Sequence, residues 1–346
     1  MDLIMTHTDK ALEAWNEVAL QLRMILEKPE ISKYSTQWEE IYSRAEASNA
    51  WFTRDQIRLA AEGILKLLEP EKLISFVRKY GIAGDQEPKN VGVIMAGNIP
   101  AAGFHDLLCV SLVGHRLHAK LSSSDQFILP FLVELLRNAN SAVADRISFA
   151  ENLKNMDAVI ATGSDNSSRY FEYYFGNKPH IFRRNRNSIA ILTGNENEYD
   201  LLLLGRDIFS YFGLGCRSIS KLLVPEGYSF DNLFESLIDY KHLMQHSRYM
   251  NNHDYHQSLY LLSQEPFLTN NFVIIKEDVK LSSPVGVVYF ETHSGLDDAM
   301  SQVDAIREKL QCVVMKGGAI TPGFAQLPNI DEFADGVNTI DFLKKI

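Results

Sequence analysis

The sequence predicts an α/β protein: a parallel sheet, a second α/β unit after it, and a helical segment before it. Three observations lead there. Short apolar stretches rich in branched residues break into turns containing Gly or Ser, helical spacing of apolar residues fills the gaps, and the pattern changes from polar and helical over 8–80 to strand-like at Val91. A chain of 346 residues is too long for one ordinary core, so two interleaved domains are expected. The expected division is a helical lead-in over 1–80, a first α/β domain over 81–195 completed by the tail 321–346, and a second α/β domain over 196–320.

In chain order, Trp15, Val18, Leu20, Leu22 and Ile25, then Ile57, Leu59, Ile64, Leu67 and Leu68, recur at roughly helical intervals. Residues 91–96 form an apolar run that ends in Gly97, Asn98, Ile99 and Pro100, as a buried parallel strand does when it breaks into a turn. A helix through 107–113 and a strand over 116–121 follow. Ser122, Ser123, Ser124 and Asp125 then supply a turn and the N-cap of a helix over 127–136. The next strand, 158–161, enters Thr162, Gly163 and Ser164 and a helix near 167–175; 188–192 is another strand. Past residue 195 the pattern restarts with a helix over 199–212, a turn holding Cys216 and a strand over 221–224. Strands over 272–275 and 285–290, a helix over 297–310 and a strand over 312–315 complete it, and the tail is expected to pack back across the first domain. Parallel sheets bind ligands beyond the carboxyl ends of their strands, so the turns after Ala96, Leu121 and Ala161 should carry the binding residues.

Composition removes several function classes. A formal charge of -10 with no long Lys/Arg run argues against a nucleic-acid surface. The one basic cluster, Arg183, Arg184 and Arg186, reads either as a solvated turn before a strand or as a contact for ligand phosphates. Three widely spaced cysteines, Cys109, Cys216 and Cys312, make neither a disulfide framework nor a zinc site and fit a reducing cytoplasm. No run of 18 apolar residues and no secretory leader is seen, so neither secretion nor a membrane span is expected.

The residues that could carry chemistry are individually weak signals. Cys216 follows Gly213 and Gly215, which admit positive φ or the close approach of a ligand, and precedes Arg217, which would lower the thiol pKa if it pointed at the sulfur. A buried core cysteine is the plainer alternative. Asn98 could donate its amide to an oxyanion or simply satisfy its turn. Lys120, at a strand end before four short polar residues, suits a ribose or phosphate, although solvent exposure is the commoner fate of a lysine. Gly163 and Ser164 precede a helix, where unpaired N–H groups and the dipole favour a phosphate. His242 and His246 are spaced i, i+4 but lack the intervening glutamate of a zinc-hydrolase helix, so no metal site is expected. GxGxxG, Walker A and GxSxG sequences are all missing.

Order and spacing give these signals weight together. Residues 93–100 with Gly97, Asn98 and Pro100, residues 114–120 ending in Lys120, then Thr162, Gly163 and Ser164, then Gly213, Leu214, Gly215 and Cys216 resemble the aldehyde dehydrogenase superfamily. Within it they are similar to the short acyl-CoA reductases related to the fatty acyl reductase of bacterial luminescence. The likeness runs from about residue 49 to the end and includes 283–289 and 322–326. It implies an aldehyde-dehydrogenase-like fold, with a first domain that binds a nicotinamide cofactor and a second, catalytic domain carrying Cys216. It also implies Cys216 as nucleophile, Asn98 as oxyanion donor, Lys120 on the cofactor ribose with Ser123 beside it, Gly163 and Ser164 at the nucleotide, and a homodimer.

Two departures from the superfamily pattern bear on the reaction. The glutamate that activates water in hydrolytic members would fall near 182–186, where the chain reads Phe182, Arg183, Arg184, Asn185 and Arg186. A thioester on Cys216 would then last until a hydride or a thiol attacks it, which implies reduction of an acyl-CoA to an aldehyde. The acidic residue that holds the adenosine ribose hydroxyls shortly after the lysine is replaced by serines, which favours NADPH, with NADH as the alternative. Other readings are NAD-dependent aldehyde oxidation, with Glu196 or Glu198 as base, and a non-catalytic acyl-binding scaffold of the same fold.

Overall fold

The computed structural model describes residues 5–83, 86–163 and 165–346, without the side chains of Asp165 and Asn166. The chain forms two compact units, one of residues up to 184 together with 329–346, the other of 185–328.

In the first unit, α1 (His7–Glu27) starts at a capping box in which Thr6 Oγ1 accepts from the Asp9 N–H at 3.1 Å and Asp9 Oδ2 accepts from the Thr6 N–H at 3.0 Å. Its stripe of Ala11, Trp15, Val18, Leu22 and Ile25 is buried. Trp15 meets the edge of Phe104 at 5.5 Å and donates to Ser111 Oγ at 3.0 Å. α2 (Ser35–Ser48), α3 (Arg54–Leu67) and α4 (Pro70–Lys79) bury Trp38, Ile57 and Leu73 in the same cluster, so the helical lead-in is part of the first unit's core. The sheet of this unit is wholly parallel. It comprises β1 (Asn90–Ile94), β2 (Arg116–Lys120), β3 (Ile147–Phe149), β4 (Ala158–Thr162) and β5 (His180–Arg183), in the order β3-β2-β1-β4-β5. Crossovers are made by α5 (Phe104–Val113), α6 (Ile128–Ala139), α7 (Ser141–Ala144) and α8 (Asp165–Phe175). α5 is buried at every position but His105 and stops where Gly114 takes φ 93, a left-handed cap that Gly adopts without steric cost.

The second unit has β6 (Asn187–Ile191), α9 (Glu198–Phe209), β7 (Ile219–Pro225), α10 (Asp231–Ser236), α11 (Ser247–Leu262), β8 (Leu268–Thr269), β9 (Ile274–Glu277), β10 (Val287–His293), α12 (Leu296–Ala305) and β11 (Leu310–Met315). Its sheet runs β11-β6-β7-β10-β9-β8 and is parallel except for the β8 edge. The chain then returns to the first unit, where α13 (Thr339–Leu343) buries Ile340 and Leu343. Among the described residues no helix is long and apolar enough to cross a membrane.

The units differ in detail from the expected division. A boundary at 195 would give β6 to the first domain, whereas β6 pairs with β7 and β11 in the second sheet, and 321–328 also cluster with the second unit. β3 and β5 are not among the expected strands: one is three residues long, and the other ends in the basic cluster. The expected cap on α6 is absent. Its N-cap position is Phe127, with no side-chain bond, because Asp125 is turned elsewhere.

Candidate active site

Adjacent parallel strands bring their carboxyl ends to one edge, and in the first unit β2, β1 and β4 do so side by side. Lys120 is the last residue of β2, paired with Ile94 at the end of β1, and its carbonyl accepts from the Met95 N–H at 3.0 Å. Asn98 lies four residues beyond β1, and Gly163 directly follows β4. Asn98, Lys120 and Ser123 are exposed and Gly163 is half-buried. The structure therefore gathers these four residues at one sheet edge, as their spacing implies. Ser164 lies outside the described residues.

Close contact between these loops depends on glycine. A Cβ on Gly97 would sit 2.4 Å from both Cβ and Oγ of Ser122, so the loops after β1 and β2 touch only because Gly97 has no side chain. Ser122 Oγ accepts from the Ser124 N–H at 3.2 Å, a local turn that leaves Ser123 outward.

Asp125 is the residue sequence reasoning misassigned here. It is buried, and Oδ2 accepts from the Ala101 N–H at 2.7 Å, bracing the turn that carries Asn98 where Ala101 takes φ 55. Burial pushes its carboxyl up to about 6 from the ordinary 3.8, against the hydrogen bond from Ala101. Between those values the native chain holds a proton that the unfolded chain has released, so this group's contribution to stability falls as pH rises through that window. In Asp125→Asn the slope should vanish. The unfolding free energy of wild type minus variant should decline by up to about 3 kcal/mol from about pH 4 to about pH 6. Trp15, Trp38 and Trp51 all lie in the first unit, so tryptophan fluorescence during urea unfolding reads it. A flat difference would mean that Asp125 titrates like an exposed carboxyl.

The basic cluster is a correction in part. Arg183 is not a solvated residue: it is buried, forks onto both oxygens of Asp106 on α5, and donates to Thr339 Oγ1 at 2.9 Å. It is therefore taken up by the core, and Arg186 donates to the Leu310 carbonyl at 3.2 Å.

Cys216 belongs to the second unit, in the connection between α9 and β7. α9 stops at Phe209, three residues before the predicted end, because Tyr211, Phe212 and Gly213 take φ of 54, 56 and 78. Left-handed backbone costs a non-glycine residue roughly 1–2 kcal/mol, and two aromatic residues bear it in succession. Packing holds them there: both rings are buried, and Phe212 stacks on His246 at 4.2 Å. Cys216 follows this turn and is exposed, whereas Cys109 and Cys312 are buried. Burial raises the Cys109 thiol well above its ordinary value. Cys312 Sγ donates to Ser188 Oγ at 3.1 Å, and Ser188 Oγ donates to the Cys216 carbonyl at 2.9 Å. Arg217 directs Nε at the Ala325 carbonyl.

The family model described as acyl-CoA reductase (LuxC) matches residues 1–237. The chain belongs to the acyl-CoA reductase family. An acyl-CoA reductase is an oxidoreductase, and the matched span contains Asn98, Lys120, Ser123, Gly163, Ser164 and Cys216.

The fold of this acyl-CoA reductase is that of the aldehyde dehydrogenases. An aldehyde dehydrogenase from Bacillus cereus in complex with NAD+ superposes with a TM-score of 0.61 at 12% identity, over 90% of this chain and 72% of that one. One from Mycobacterium tuberculosis complexed with NAD+ gives 0.61 at 11%, over 92% and 84%. Aldehyde dehydrogenase 21 from Physcomitrella patens, in complex with the reaction product succinate, gives 0.58 at 12%, over 99% and 89%. No curated protein matches the sequence.

Proposed function

We propose that this acyl-CoA reductase converts an acyl-CoA to an aldehyde through an acyl thioester on Cys216, with NADPH as the preferred reductant. The observation that carries the reading is that Cys216 is the exposed one of the three cysteines and sits on a turn held by its surroundings. The Cys216 thiolate attacks the thioester carbonyl and forms a C–S bond. Asn98 and a backbone N–H stabilise the oxyanion. The bond to the CoA sulfur breaks, and CoA leaves as a thiolate that takes up a proton. Bound NADPH supplies the hydride that makes the acyl carbon an aldehyde carbon. The bond to Cys216 then breaks, and the thiolate is regenerated.

The residues at the first sheet's edge fit a dinucleotide with a 2′-phosphate. Lys120 offers an exposed cation and Ser123 an exposed hydroxyl, while the one carboxylate of that loop, Asp125, is buried against Ala101. No exposed acid in the loop repels a phosphate or chelates the ribose hydroxyls. Gly163, with Ser164, is assigned to the nucleotide ahead of α8. The cytoplasm as compartment and a homodimer as assembly complete the proposal.

Aldehyde oxidation is the weaker reading because it needs a base for water. The stretch near 182–186, where the resemblance puts the hydrolytic glutamate, holds no carboxylate, and Glu196 closes its own turn, accepting from the Thr193 N–H at 2.8 Å, Thr193 Oγ1 at 2.9 Å and the Gly194 N–H at 3.0 Å. The deciding assay supplies acyl-CoAs of graded chain length with NADPH or NADH and measures aldehyde, released CoA and nicotinamide absorbance. One aldehyde and one CoA per NADPH is the expected stoichiometry. Acid formed from a free aldehyde without CoA, and no activity with any acyl-CoA, would reverse the assignment.

A further inference from the structure

Asp207 is a fully buried carboxylate on the last turn of α9, and the reaction proposed above does not use it. Both oxygens are engaged by one remote segment: Oδ2 accepts from the Gly323 N–H at 2.7 Å and Oδ1 from the Ala325 N–H at 2.9 Å. That segment in turn grips the residues just after Cys216. The Ala325 carbonyl accepts from Arg217 Nε, and Gln326 donates its side-chain amide to Ser218 Oγ at 3.1 Å. Ser218 Oγ donates to the Ser210 carbonyl at 3.3 Å, on the other side of the left-handed turn. The circuit thus runs from α9 through 323–326 to both flanks of Cys216 and back.

Gly323 allows the segment to lie this close. It takes φ +90, and a Cβ there would stand 3.1 Å from Leu203 Cβ on α9. Burial pushes the Asp207 carboxyl up to about 6, against the two backbone hydrogen bonds and the weaker pull of Arg206 and Arg217. A carboxylate kept in a buried site to hold two N–H groups suits a clamp on a segment that would otherwise relax.

We propose that Asp207 is a positioning residue for Cys216: through 323–326 it holds Arg217 and Ser218 and so fixes the turn that presents the thiol. The inference rests on the reading of Cys216 as nucleophile. Misplacing a reacting group by about 1 Å can cost a hundredfold in rate, so loosening this circuit should act on kcat more than on KM.

The test compares the purified wild type with Asp207→Asn and Gln326→Ala. In Asp207→Asn an amide NH2 would face one of the two backbone donors, whereas Gln326→Ala opens the milder link to Ser218. The readout is the pH profile of iodoacetamide labelling at Cys216, located by peptide mass mapping, beside kcat and KM. Both variants should change the labelling rate by about fivefold or more and lower kcat by about tenfold with a smaller change in KM. Asp200→Ala, which removes the carboxylate that accepts from the Asn197 N–H in the capping box at the other end of α9, should lower thermal stability yet leave labelling within about twofold of wild type. If Gln326→Ala and every folded Asp207→Asn sample label and turn over like wild type, Asp207 is only a structural residue. Wild-type turnover that survives complete alkylation of Cys216 would instead overturn the nucleophile assignment, and the labelling comparison would still decide the role of Asp207.

Discussion

Cys216→Ala is expected to lower acyl-CoA-dependent NADPH oxidation by roughly ten-thousandfold or more, because removing the group that forms the covalent bond leaves only binding and oxyanion stabilisation. The side chain is exposed, so its loss leaves no core cavity, and urea unfolding should match wild type. That combination separates a chemical role from a structural one. Cys109→Ala is the informative contrast. It empties a buried site on α5 and should destabilise the first unit while leaving the acyl-transfer step in place. Single-turnover mixing of wild type with acyl-CoA in the absence of NADPH should release CoA, and Cys216→Ala should release none. Equal CoA release by both proteins would exclude the acyl-cysteine.

The second large effect concerns stability. Asp106→Ala should destabilise the first unit by about 3–5 kcal/mol, since it leaves the Arg183 guanidinium buried without its counter-charge. Both side chains of the pair are only 6% exposed, so water cannot replace the lost carboxylate. The three tryptophans, all in this unit, report its unfolding in urea. A double replacement, Asp106→Leu with Arg183→Met, removes both charges and should recover most of the loss. A single mutant that unfolds at the wild-type denaturant concentration would show that Arg183 reaches solvent.

Residues whose environment is set by near neighbours were legible in the sequence, and those set by distant ones were not. The runs at 91–96 and 158–161 announce β1 and β4 because a parallel strand covered on both faces needs unbroken apolar side chains. The places of Asn98 and Gly163 follow from where those strands stop and that of Lys120 from the end of β2, whereas their roles come only from the resemblance. Arg183 defeats the same reasoning. An arginine beside two others looks like a surface turn until Asp106, 77 positions earlier, supplies its partner. Asp125 fails likewise, since it reads as a helix cap while its partner is the Ala101 N–H, and no near neighbour of Asp207 in the sequence points to the N–H groups of Gly323 and Ala325 that it holds. The early stop of α9 is equally hidden, since no glycine marks Tyr211 or Phe212 as left-handed.

The chain's return to its first unit has a consequence for biosynthesis. Residues 329–346 leave the ribosome only after the whole of 185–328, yet Thr339 contacts Arg183, the Leu343 carbonyl pairs with the His115 ring at 2.8 Å, and Ile340 lies deep in the apolar cluster. The sheet that begins at Asn90 therefore waits for a segment made some 240 residues later, while the intervening unit already has every strand of its own sheet. Nascent chains should expose the α5 side of the first unit throughout that interval, which makes this the stretch of synthesis most dependent on chaperones and slow to close through its long-range contacts.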